Sequence, residues 1–106
     1  MADGFKDREK GFESKWAHDE ELRFKVMARR NKLLGQWAAG LNGLSGADAD
    51  AYAKTVVAAD FEESGDEDVF RKLKSDLASK AADAVIRAKF EELLAMAADQ
   101  VMREVK

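Results

Sequence analysis

Cysteine and proline are both absent from this chain of 106 residues, and each absence closes off a class of protein. Without thiols there is no disulfide framework and no thiolate metal site, so the chain needs no oxidising compartment. Without proline no helix is forced to kink or stop. Apolar runs of about 18 residues are missing too, as is the apolar core of a secretory signal, which excludes a transmembrane helix and direct membrane insertion. The expectation is a cytoplasmic protein. A basic excess is also lacking: 18 Lys and Arg stand against 21 Asp and Glu, for a net charge of −3. The acidic stretch 48–68 would repel phosphates, so nucleic acid is not an expected partner.

What is present is a helical composition, dominated by Ala, Leu, Glu, Lys, Asp and Arg. The length suits one domain that buries roughly two-thirds of its unfolded surface. The expected fold is all-α, a four-helix bundle over 18–106 carrying a mobile N-terminal arm over 1–17. Helices are expected at about 18–44, 47–64, 66–80 and 84–105. In the first, Phe24, Met27, Leu34, Trp37, Leu41 and Leu44 recur every three or four residues as one buried face. Ser45 with Asp48 resembles a capping pair for the second, whose inner side holds Tyr52, Val56, Val57 and Phe61. Asp66 is the expected cap of the third, with Val69, Phe70, Leu73 and Leu77 inward. A break is placed at 79–82 although no glycine or proline marks it. Asp83 then caps a last helix with Ile86, Phe90, Leu93, Ala97 and Val101 as its stripe.

Catalytic and metal chemistry find little footing. Residues 60–71 imitate a calcium loop, with oxygens at positions 1, 3 and 5 and Gly65 at position 6. Arg71 occupies position 12, where the metal's bidentate glutamate belongs, so the acids read better as the end of one helix and the start of the next. His18 is the only histidine and has no Glu three residues before it, which excludes the Glu-x-x-His pairs of di-iron bundles. The seven glycines form no phosphate-cradling fingerprint. The chain reads as a non-enzyme with no metal and no cofactor.

Two features suggest binding instead. From Asp3 to Trp16 the only large apolar residues are Phe5, Phe12 and Trp16, seven and four apart, which places the three rings on one helical stripe. Mixed charges surround them, and Gly11 sits in the middle, so the segment is frayed when free and suited to folding on a partner's groove. A competing reading makes it the opening turns of a longer helix whose aromatics dock on the bundle. The second feature is the basic cluster of Arg29, Arg30 and Lys32, either a solvated face or a docking and phosphate-contact surface.

Several stretches carry a family resemblance. Asp7-Arg8-Glu9, Ala17-His18-Asp19-Glu20-Glu21-Leu22-Arg23-Phe24, Ala28-Arg29-Arg30-Asn31-Lys32-Leu33-Leu34-Gly35, Trp37-Ala38 and the acidic stretch 60–69 resemble the zeta-subunit inhibitors of the alphaproteobacterial F1-ATPase. The resemblance implies a four-helix bundle whose arm becomes helical on inserting at a catalytic alpha/beta interface of F1. There it reaches toward the gamma subunit and blocks rotation in the hydrolytic direction. The implied partners are the F1 alpha, beta and gamma subunits, and the implied location is peripheral to the inner membrane. Stripe and charge pick Phe5, Arg8, Glu9, Phe12, Lys15 and Trp16 as arm contacts, with Arg29, Arg30 and Lys32 docking the bundle. Gly11 and Lys80-Ala81 depart from the family pattern, the first at the expense of net affinity. The alternative function is a helical binding or sensing module that holds a nucleotide, weakly, or another protein through the basic cluster without inhibiting anything.

Overall fold

The first helix starts where a carboxylate closes it. In the computed structural model, which describes residues 16–60 and 66–104, Asp19 is extended and accepts a hydrogen bond from the Leu22 backbone N–H at 3.1 Å. Glu20 and Glu21 follow in the first turn, where the positive helix end favours them. This helix, α1, runs Glu20–Leu41. It stops short of the expected Leu44 because Gly43 takes a φ of +77° and the Leu44 N–H turns back to the Ala39 carbonyl at 2.9 Å, the left-handed closure that glycine makes cheap.

Three further helices follow: α2 at Gly46–Ala59, α3 at Glu67–Leu77 and α4 at Asp83–Glu104. The expected caps work differently from the reading of the sequence. Ser45 holds the N-cap position of α2 without a side-chain cap bond. Asp66 stands at the N-cap of α3, but its carboxylate faces Arg30 rather than the helix backbone. Asp83 is the first residue of α4 rather than its cap, and pairs with Lys74 of α3 at 3.1 Å. Between α3 and α4 the break does form: Ala78 adopts a φ of 51°, a 3-10 turn spans Ala78–Lys80, and Ala81 is extended.

Helix α1 is the hub and touches all three others. Against α2 the approach is close enough that a Cβ on Gly35 would lie 2.5 Å from the Ala53 Cα, so only glycine fits there. A larger core joins Leu34 and Ala38 of α1 to Val56, to Val69, Phe70, Leu73 and Leu77 of α3, and to Ile86 and Leu93 of α4. A second cluster joins Trp16 and Val26 to Ala97, Ala98 and Val101.

The stripes of α3 and α4 lie as expected, whereas that of α1 is rotated. Its buried row is Val26, Arg30, Leu34 and Ala38 with Asn31, Gly35 and Ala39 beside it. Phe24 and Leu41, expected inside, are 56% and 42% exposed. A cation and an amide hold two interior positions, which shifts the phase away from the one that hydrophobicity alone suggests.

Candidate functional site

The two candidate regions fare differently. Phe5, Arg8, Glu9, Phe12 and Lys15 lie outside the described residues, as do Gly11 and Phe61, and so does the middle of the acidic stretch, 61–65. Trp16 is described, and it is 6% exposed. Its ring sits in the second hydrophobic cluster with Val26 of α1 and the small Ala97 and Ala98 of α4. The indole N–H finds no hydrogen-bond partner among the described residues. The Asp19 N–H donates to the Trp16 carbonyl at 3.2 Å, closing a tight turn between this ring and the start of α1.

The basic cluster separates, because neighbours on a helix point about 100° apart. Arg29 turns to the end of α4, forks onto the Glu104 carboxylate at 2.7 and 2.8 Å, and donates to Gln100 Oε1 at 2.9 Å. The hydrogen bonds that Arg29 donates to Glu104 push the Arg29 pKa upward, and they hold the exposed Glu104 below the usual carboxylate range. Arg30 turns inward and is 2% exposed. It donates to Asn31 Oδ1 at 2.9 Å and to Asp66 Oδ1 at 2.8 Å, and lies 5.0 Å from the centroid of the Phe90 ring. The expectation that Arg30 meets a partner or a phosphate is therefore corrected: it is a structural cation. Lys32 is exposed.

What the fold does assemble is an open groove of about 610 Å³ at this end of the bundle. Its rim carries Lys25, Arg29 and Lys32 with Glu104, and its floor is Phe24, Ala28, Val57 and Val101. Sequence reasoning misses this floor, since Val57 and Val101 come from helices remote in sequence and Phe24 reads as core. The groove suits an anionic group with an apolar part and offers no catalytic pair. Among the described residues no group of three or more His, Cys, Asp and Glu side chains could hold a metal, and no helix is long and apolar enough to cross a membrane. His18 is exposed.

At the opposite end, Tyr52 of α2 donates to Asp76 of α3 at 2.7 Å, and Lys72 donates to the same carboxylate oxygen at 3.0 Å. Asn42 Nδ2 donates to the Asp76 backbone carbonyl at 3.1 Å. This network ties the α1–α2 turn to α3.

A family model described as ATPase inhibitor subunit zeta matches residues 1–100. A structure determined in solution by NMR is similar at 54% sequence identity with a TM-score of 0.74, over 78% of this chain and 98% of that one. No curated protein gives a match.

Proposed function

The chain belongs to the ATPase inhibitor subunit zeta family, and from that premise, an inhibitory regulator of the F1-ATPase, we propose that inhibition is delivered by the segment ahead of the bundle. In this reading residues 1–15 fold into a helix at a catalytic alpha/beta interface of F1 and reach toward the gamma subunit, where they block rotation in the hydrolytic direction. Phe5 and Phe12 supply the buried anchors, and Arg8, Glu9 and Lys15 fix register through charge. The observation that carries the reading is the family match over residues 1–100, which takes in the aromatic segment and the bundle as one unit.

The bundle serves as a scaffold that keeps the segment close to its site, raising its effective concentration there. Lys32 and the outer edge of Arg29 are the cations available for docking against F1, since Arg30 is internal. Association with F1 would place the protein at the inner membrane's periphery. The groove rimmed by Lys25, Arg29 and Lys32 favours a second, subordinate reading, weak binding of a nucleotide there.

Photo-cross-linking separates the two. A benzoylphenylalanine at position 12 should capture F1 alpha or beta, and one at position 5 should also reach gamma. No capture of F1 from positions 5 and 12, together with capture of a photoreactive nucleotide at the groove, would instead favour the binding-module reading.

A further inference from the structure

Trp16 is the last aromatic of the N-terminal stripe, yet it is held inside the bundle. Resting on the functional reading above, we infer that Trp16 is a positioning residue. It clamps the foot of the inhibitory segment into the seam between α1 and α4, stays there when the segment engages F1, and thereby sets the point and direction from which residues 1–15 depart.

Three observations carry this. The slot takes a large ring: Trp16 is 6% exposed in a cluster whose α4 members include the small Ala97 and Ala98, with Val26 and Val101 beside them and Leu22 and Met102 packed against the cluster. Nothing polar among the described residues meets the indole N–H, so the slot selects bulk rather than a hydrogen bond. Asp19 caps α1 only three residues on, while its own N–H bonds back to the Trp16 carbonyl. Two fixed points so close leave no slack between clamp and bundle. The seam is fastened further by the Arg29 fork onto Glu104, three residues past Val101 of the same cluster. A rigid foot narrows the volume the segment must search, which raises its effective concentration at the site, and slack would dilute it.

The test uses the full chain and F1. Replacing Trp16→Ala should raise the half-inhibiting concentration about tenfold, and Trp16→Phe should restore it to within about twofold, because a phenyl ring still fills the slot. A bundle weakened by Trp16→Ala is controlled by a second variant that leaves the slot filled: three glycines inserted between Lys15 and Trp16 should weaken inhibition similarly at unchanged melting temperature. In a Trp37→Phe chain labelled with 5-hydroxytryptophan, the remaining label at position 16 should resist acrylamide quenching equally with and without F1. Exposure of that label on binding, or full potency in the glycine-insertion variant, would overturn the clamp. If the unaltered chain fails to inhibit, the functional reading fails instead. The clamp is then judged on the free chain, where a nitroxide on Lys10→Cys, unique in this cysteine-free sequence, should broaden amides near the α1–α4 seam in Trp16→Phe but not selectively in Trp16→Ala. The same broadening pattern in both variants would overturn it.

Discussion

Arg30 Nη2 donates to Asp66 Oδ1 at 2.8 Å across 36 residues of sequence, joining the middle of α1 to the start of α3. The arginine is 2% exposed and the aspartate half exposed, so the pair is asymmetric: one ion is fully committed to the interior and the other is partly hydrated. Removing the aspartate strands a buried cation, whereas removing the arginine frees a carboxylate that water can solvate but also takes both donors from the buried Asn31 Oδ1. Asp66→Ala is therefore expected to destabilise the bundle by about 2 kcal/mol, and Arg30→Met combined with Asn31→Leu by less, since methionine keeps the packing against Phe90 and no buried amide is left orphaned. Urea unfolding of the two variants checks the order. Equal losses, or a larger loss without the arginine, would contradict the asymmetry of the pair.

Glycine substitutions along α1 should change sign within five residues. Gly40 has nothing within 4 Å of the position a methyl group would take, so Gly40→Ala gains helix propensity and stabilises by about 0.5 kcal/mol near the helix end. At Gly35 the same methyl would meet the Ala53 backbone, which cannot rotate aside, and Gly35→Ala is expected to cost about 2 kcal/mol despite its better propensity. Thermal melts monitored by circular dichroism decide both, and a neutral Gly35→Ala would show that α1 and α2 can separate freely.

The Tyr52–Asp76–Lys72 network makes stability depend on pH at both extremes. Burial acts to raise the Asp76 pKa, but the hydrogen bonds from Tyr52 and Lys72 outweigh it and hold the group below its usual range. A lowered folded pKa means stability that is present above the unfolded value near about 4 and lost as the pH falls through the folded value. Tyr52 is pushed upward by burial and by its bond to Asp76, so its contribution is complete below the unfolded value near about 10 and lost progressively as the pH rises from there through the raised folded value. Tyr52→Phe should cost about 1 kcal/mol at neutral pH and flatten both the acid and the alkaline limbs. Urea midpoints across pH measure this, and an unchanged acid limb would contradict the assigned role of the hydroxyl.

How much is legible in the sequence follows from where each stabilising partner comes from. The stripes Val69, Phe70, Leu73 and Leu77, and Ile86 to Val101, are local patterns and read correctly, because apolar residues alone fill their inner faces. The phase of α1 is not legible because Arg30 and Asn31 occupy its interior, and what makes that tolerable, Asp66 and Phe90, lies far along the chain. The break at Ala78 has no glycine to announce it beyond the general expectation of two packed stripes. The basic cluster reads as one surface since its members are adjacent in sequence, yet the helix sends Arg29 to α4 and Arg30 into the core. Trp16 matches the aromatic spacing of the segment before it, and only the slot beside Ala97 and Ala98 shows where its ring goes.

The central claim is that the segment ahead of Trp16 inhibits and the bundle carries it. The most direct test is the rate of ATP hydrolysis by F1 titrated with the full chain or with a version beginning at Trp16, which keeps the clamp in its slot, both checked for equal helicity. The account predicts inhibition by the full chain alone. Inhibition of equal strength by the shortened chain would contradict it and move the activity into the bundle.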